Sequence, residues 1–425
     1  MKDYLRLRPD LVLVGMACLL FAVEPVQGYL FGGDLSKAGT NLIAIAFIFA
    51  MTAISFVAPN YRRNLLNTSN IFIVVVSLHT LTYIVISGSL NDAVRYDIFA
   101  LLRSIVLGYL LYNFCRAIPY ENREPTLKRI ALIVWWTVCI TILAGNLSGR
   151  GLYTYADHSS GYKFFYPSLN ELSFVFFSSF LILLATNQNN TRKAIYTLLT
   201  LLTFLVIGNK SFIALFSISL TAYFFLSRGA IARTTILLIL CAILIALAST
   251  NIAETLIDKF FALVIYILTE YSSGSSKLLL KLSYLDPFSA LVSERDKLLS
   301  IAADIYRTNY GLLETLFGLG YSNYGSIYGI ARGSGTFSYS EMDPVDIFMS
   351  YGILGLFITF YIALSIYSER NEISNRLYML RRILVILFFS TGALTGHLYL
   401  MGFPVFFFAC YAGLCASPYR RLGLA

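Results

Sequence analysis

The sequence predicts an all-α polytopic membrane protein of about twelve transmembrane helices, with one long loop, roughly Thr250 to Pro344, on the extracytoplasmic side. Three observations predict it. Of 425 residues, 57% are hydrophobic and 13% charged, and mean hydropathy is +0.71, a balance that a water-facing surface cannot accommodate and a lipid-facing one requires. The apolar residues fall mostly in runs near the length of a helix that crosses the hydrocarbon with its backbone bonds satisfied internally. The basic residues fall in short clusters between those runs rather than on one continuous face, so the net charge of +9 reflects topology and not nucleic-acid binding. A soluble enzyme is excluded.

The expected spans are Leu11 to Phe31, Gly39 to Ala58, Asn70 to Gly88, Ile98 to Cys115, Arg129 to Leu147, Leu169 to Thr186, Ala194 to Gly208, Ser211 to Ser227, Ile231 to Ser249, Val345 to Tyr367, Ile383 to Gly396 and Phe403 to Ser417. No small-residue cleavage site follows the first, which reads as a retained helix rather than a signal peptide. Positive loops stay in the cytoplasm. With the N-terminus inside, nineteen Lys and Arg residues are cytoplasmic, including Arg62 and Arg63, Arg116 to Arg129, Arg381 and Arg382, against Lys37, Arg95, Arg150, Lys163 and Lys210 in the short outer loops. Both termini are then cytoplasmic. The chain divides into helices 1 to 9 (residues 1–249), the outer loop (250–344) and helices 10 to 12 with the C-terminus (345–425). The six cysteines lie in or beside apolar stretches and read as core residues, with neither a disulfide framework nor a metal site indicated.

Within the loop, Ala253 to Glu270 has helical apolar spacing but too short an apolar core to span, and reads as an interfacial helix. Ser293 and Asp296 form a capping-box pattern that opens a second amphipathic helix ending near Arg307. The glycine- and tyrosine-rich stretch Gly318 to Gly335 reads as a flexible loop.

Ionisable groups at membrane depth are functional candidates by default, although long side chains also snorkel to an interface. Glu24, Arg103 and Asp346 fall inside the apolar spans, with Glu171 at the start of the sixth and Lys210 and His397 just outside. All are on the outer side. That shared side predicts a polar cavity open to the outer leaflet, and its basic groups suit an anionic, membrane-resident ligand such as a lipid pyrophosphate.

Three segments carry a family resemblance. YPSLNELSF (Tyr166 to Phe174) has proline, asparagine and glutamate at the start of a helix. VIGNKSFIAL (Val206 to Leu215) joins two short helices, and MDPVDIFMSYGILGL (Met342 to Leu356) runs from acidic residues to Gly-x-x-Gly after the long loop. With the helix layout, these resemble the bacterial O-antigen polymerase (Wzy) and O-antigen ligase superfamily, which has a C-type glycosyltransferase-like fold. Lys210 stands where the family usually has arginine, which keeps the charge and loses the bidentate fork. Glu341 and Asp343 stand where ligases carry a histidine. Polymerases are associated with an arginine followed eleven residues later by glycine in two outer loops, and Arg150 with Gly161 and Arg307 with Gly318 both match.

The resemblance implies a metal-independent glycosyltransferase without cofactor. It would move a growing glycan from undecaprenyl pyrophosphate to a sugar hydroxyl on a lipid-linked repeat unit, its partners being that donor and acceptor, membrane lipid and a chain-length-determining membrane protein. Arg307 and Arg150 are the expected phosphate or glycan binders, Arg103 and Lys210 further cations, and Glu171, Asp343 and His397 the candidate bases. Each has a plainer reading: Arg307 complements the end of its helix, Arg150 is a solvated loop charge, and the others cap or hydrogen-bond. The alternatives are an O-antigen ligase acting on lipid A core, a lipid-linked oligosaccharide flippase, and an assembly partner without chemistry.

Overall fold

The computed structural model describes residues 8–31, 46–47, 50–51, 97–98, 100–101, 104, 106–149, 151–155, 160–166, 168–207, 210–226, 295–334, 337–369, 374–396 and 398–416. The second, third and ninth expected spans lie wholly or mostly outside these residues. So do the interfacial helix of Ala253 to Glu270, Ser293 and the C-terminal tail.

The described elements, in chain order, are α1 (Pro9–Phe31), α2 (Leu107–Ala117), α3 (Tyr120–Leu147), strands β1 (Leu152–Tyr155) and β2 (Ser160–Phe164), α4 (Leu169–Thr186), α5 (Asn190–Ile207), α6 (Lys210–Leu226), α7 (Arg295–Asn309), α8 (Leu312–Phe317), α9 (Tyr321–Ala331), α10 (Asp343–Ser368), α11 (Asn375–Thr395) and α12 (Gly402–Leu414). Helix dominates. Three of these helices, α3, α4 and α10, are long and apolar enough to cross a membrane.

Helix α4 is the hub. Its sequence is apolar on every face and every residue from Glu171 to Thr186 is buried, as a helix surrounded by other helices must be. It packs against α3, α5, α6, α11 and α12. Sparse hydrogen bonds tie the bundle where a polar side chain would otherwise face hydrocarbon. The Trp135 indole donates to Thr200 Oγ1 at 2.8 Å across α3 and α5, and Ser179 Oγ meets the Tyr411 hydroxyl at 2.7 Å across α4 and α12. Phenylalanines fill the rest: Phe388 of α11 stacks on Phe408 of α12 at 4.2 Å between centroids, and Phe174 of α4 meets Phe388 at 5.1 Å. On the opposite side, α10 turns Ile353, Phe357, Phe360, Tyr361 and Leu364 outward, an exposed apolar stripe at helical spacing that suits lipid and not water.

Most observed helices agree with the expected spans within a few residues, and α4 matches at both ends. Two differ at their N-terminal ends. Helix α3 begins nine residues before Arg129, and α11 eight before Ile383, because both continue out of the apolar run through charged residues that are good helix formers. Ser374 caps α11 by accepting from the Leu377 amide at 3.3 Å.

The region after Gly318 is a correction. Tyr321 to Ala331 form a helix, not a flexible loop. Glycine would weaken it in isolation. Tertiary contacts decide otherwise: the hydroxyls of Tyr324 and Tyr328, one turn apart on its buried face, donate to Asp346 Oδ1 at 3.2 Å and to the Leu298 carbonyl at 2.8 Å. At Gly325 a Cβ would lie 2.7 Å from the Tyr339 ring, so the glycine admits that ring against the helix. A short antiparallel hairpin, pairing Tyr153 with Tyr162 and Tyr155 with Ser160, lies between α3 and α4.

Helix α10 is broken at Gly352, which has φ of 66° and ψ of −165°. Gly318, at φ 82°, lies against that break. A Cβ on Gly318 would overlap the Ser350 backbone, and one on Gly352 would overlap the Leu316 backbone. Alanine at either position is therefore expected to cost at least 2 to 3 kcal/mol, whereas Gly333→Ala, at φ 75° with open space around it, costs about 1 kcal/mol of backbone strain. Thermal unfolding of the three purified variants would show midpoints ordered with Gly333→Ala highest. Equal losses would remove the close-packing argument.

Candidate functional site

The segment α7 to α9 sits on the first half of α10 through backbone groups. A helix broken at Gly352 leaves the carbonyls of Met349 and Ser350 without their partners one turn on. Leu319 N donates to the Met349 carbonyl at 3.0 Å, Gly320 N donates to the Ser350 carbonyl at 2.9 Å, and the Tyr310 hydroxyl also donates to Met349 O. Tyr306 and Tyr310 pack on Phe348, with centroids 5.6 and 6.3 Å apart.

Beside this junction lie two buried carboxylates from the first turn of α10, where acidic groups complement the helix N-terminus. Asp346 Oδ1 accepts from Ser340 N at 2.9 Å, Ser340 Oγ at 2.7 Å and the Tyr324 hydroxyl. Burial, and next the Asp346 carboxylate, push the Tyr324 phenol far above its ordinary range, so it stays protonated and donates. Asp343 Oδ2 accepts from Leu398 N at 2.8 Å and Tyr399 N at 2.9 Å, clamping the turn between α11 and α12. The backbone of Glu341 lies against Gly396, which has φ of 67° and no room for a Cβ.

Two predicted residues meet at one place: the Glu341 backbone lies against Gly396, and Asp343 accepts from the amides of Leu398 and Tyr399. His397 itself lies outside the described residues, as do Arg103 and Arg150. The Glu341 carboxylate pairs with Arg332 at 3.3 Å. Arg307 is elsewhere, 76% exposed on the last turn of α7 and paired with Asp304 at 3.3 Å. Its glycine partner in the sequence pattern, Gly318, is the residue packed on α10. Glu171 is buried in the first turn of α4. Gly161 lies on β2 and Lys210 opens α6, its side chain, like that of Glu24, beyond what is described. Burial pushes the Lys163 ammonium on β2 below its ordinary range.

A cleft runs from this junction into the bundle. It has a cavity volume of about 120 Å³ and is partly open, between α2, α10, α11 and α12. Phe317, Tyr351 and Tyr399 line its outer end, Gly355 and Thr359 its middle, and Tyr112 with Ile366 its inner end. The lining is almost wholly apolar. Leu354 to Ile366 alone cover roughly 18 Å of helix rise, so the cleft is a slot that follows the membrane-crossing direction. Nothing in the residue pattern marks it, because its walls are the same leucines, phenylalanines and tyrosines that fill the core. Small residues facing one another across helices, Gly108, Gly355 and Ala409, are the one available signal.

The chain matches no protein family model and no curated protein. The fold and site define it as a membrane-embedded helical protein with a partly open apolar slot whose lining includes Phe317 of the packed segment α7 to α9.

The clamp and the base readings of Asp343 separate by substitution. Asp343→Ala leaves two buried amides without an acceptor and is expected to cost about 2 to 4 kcal/mol, while Asp343→Asn keeps an acceptor oxygen and most of the stability. Amide hydrogen exchange at Leu398 and Tyr399, read by mass spectrometry, should rise in the alanine variant and stay near wild type in the asparagine variant. Activity lost in both, with exchange unchanged in Asp343→Asn, would favour proton transfer over clamping.

Proposed function

We propose that the protein polymerises lipid-linked glycan repeat units at the periplasmic face of a bacterial inner membrane, with about twelve spans and both termini cytoplasmic. It transfers the growing chain from its undecaprenyl pyrophosphate carrier to a sugar hydroxyl of the next repeat unit. The supporting observation is the slot. A polyprenyl chain is a continuous hydrocarbon, and an apolar cleft with an outer mouth beside Tyr399 and Phe317 suits one that hangs from a pyrophosphate at the membrane surface.

In this reading the acceptor oxygen attacks the anomeric carbon of the growing glycan. The new C–O bond forms as the anomeric carbon to phosphate oxygen bond breaks, the bonding pair leaves with the pyrophosphate, and the hydroxyl proton passes to a base. Stabilising the departing charge is the larger requirement, and Arg150, Arg307, Arg103 and Lys210 are its cationic candidates. His397 is the preferred base, because the Asp343 carboxylate already accepts from the amides of Leu398 and Tyr399. Glu171 is the alternative base. Arg307 is exposed one residue from the Tyr306 contact with Phe348, and this exposure supports its reading as a contact for a ligand arriving from solvent.

The test is a lipopolysaccharide gel of a deletion strain complemented with each variant. Thr359→Trp, which fills the slot, and Arg307→Ala, a surface change expected to move stability by less than about 0.5 kcal/mol, should each remove the long-chain ladder and leave core plus one repeat unit. A lost transition-state contact corresponds to about a hundredfold in rate. Bare core with accumulated lipid-linked polymer would instead indicate a ligase, and bare core without polymer a flippase. Unchanged ladders in both variants, with the protein present in the membrane, overturn the proposal.

A further inference from the structure

The opposite end of the bundle holds an arginine cluster that outer-face chemistry does not use. Arg116 ends α2, Glu369 caps α10, and Arg381 and Arg382 lie in the second turn of α11. Arg116 Nη2 meets Glu369 Oε1 at 2.5 Å, and Arg381 Nη1 lies 3.8 Å from Glu369 Oε2, the oxygen to which the Tyr112 hydroxyl donates. Arg382 stacks over Tyr367 at 4.1 Å and shares the Tyr378 ring with Arg381. Two guanidinium groups thus face the Glu369 carboxylate, and a third, Arg382, stacks beside them on the shared Tyr378 ring.

Arg381 is 0% exposed, yet its Nε, Nη1 and Nη2 have no hydrogen-bond partner among the described residues, and neither does Nε of Arg382. A nearby arginine shows what structural burial looks like. Arg123, also buried, donates to the carbonyls of Ile118 and Ala416, each at 2.7 Å, and to that of Arg116. A buried cation with unused donors is costly unless an anion completes it. The cluster is reachable, since the side chains of Arg116 and Glu369 remain 17% and 18% exposed. It also lies where helices end: Pro119 follows α2 and α10 stops at Ser368, so its depth is that of a lipid headgroup. The exposed stripe of α10, with Phe360, Tyr361 and Leu364, leads away from it into the hydrocarbon.

We propose that Arg116, Arg381 and Arg382 bind the phosphate of an anionic glycerophospholipid, its acyl chains lying along the exposed face of α10. The proposal rests on the unused buried donors of Arg381 and Arg382 and does not depend on the polymerase reading. By the distribution of basic residues the site faces the cytoplasmic leaflet, where anionic headgroups attract juxtamembrane arginines.

Full-length protein in nanodiscs of phosphatidylglycerol should unfold at higher temperature than in phosphatidylcholine, and should carry phosphatidylglycerol through purification as read by native mass spectrometry. Arg116→Gln and Arg381→Gln should each weaken that retention about tenfold or more, the worth of one charge-assisted contact. Where Arg381→Gln fails to fold, Glu369→Gln decides: it removes the competing carboxylate and should keep or tighten lipid retention. Equal retention of both lipids by the wild type, or undiminished retention by the folded arginine variants, overturns the proposal. So does a loss of retention in Glu369→Gln, which would mark an internal ion-pair network. If inorganic phosphate in detergent reproduces the stabilisation, the site takes a free anion and the lipid assignment fails.

Discussion

The structure depends on the interlock between Gly318 and Gly352. Helix α10 breaks inside an apolar run, where a buried carbonyl without a donor costs several kcal/mol. The donors come from Leu319, Gly320 and Tyr310, all in the outer segment. That segment is therefore part of the membrane core's own hydrogen bonding and not an appendage resting on it. Both glycines are required for the same reason: each takes a left-handed φ, and each brings its backbone against the backbone of the other chain segment more closely than a Cβ permits.

Once that junction is set, the acidic residues next to it acquire definite tasks. Asp346 gathers Ser340 and Tyr324, which orients α9 over α10, and Asp343 holds the turn before α12 by two amides. At the start of α9, Asp97 Oδ1 accepts from Ser322 N at 2.7 Å, so the beginning of the fourth span is tied to the same assembly. The slot's outer mouth is framed by side chains from exactly these tied pieces, Phe317, Tyr351 and Tyr399. A ligand that enters the slot must pass a rim whose shape is held by backbone hydrogen bonds, and a rim so held keeps its geometry without spending binding energy on ordering.

The helices were legible wherever the apolar run was long, because burial on all faces leaves no alternative to internal backbone pairing; α4 is the clearest case. Their charged extensions were not, since hydropathy reports the thickness of the hydrocarbon and not the length of the helix. The pattern of Arg307 and Gly318 drew attention to the segment that packs on α10, where the two residues stand in different surroundings. Gly318 proves to be a packing residue, while Arg307 remains a surface charge. Helix α9 was missed because its glycines outweigh its tyrosines in any local propensity, and only the partners of Tyr324 and Tyr328, distant in sequence, reverse the balance. The slot was invisible for a different reason: an empty space between apolar walls has no composition of its own.

Ionisable residues at membrane depth are candidates for function because burying them is expensive, yet the expense is met in different ways at the two ends of this bundle. Asp343, Asp346 and Arg123 each satisfy their polar atoms with backbone groups or neighbouring hydroxyls, and the fold explains them. Arg381 does not. In the sequence it is one of several basic residues that orient the chain, indistinguishable from Arg382 beside it or from Arg376 one turn before. Only its burial together with its unused donors sets it apart. Residues that look most functional in a membrane sequence can thus be the ones the fold consumes, and the residue left with chemistry to spare can be one that topology alone seemed to explain.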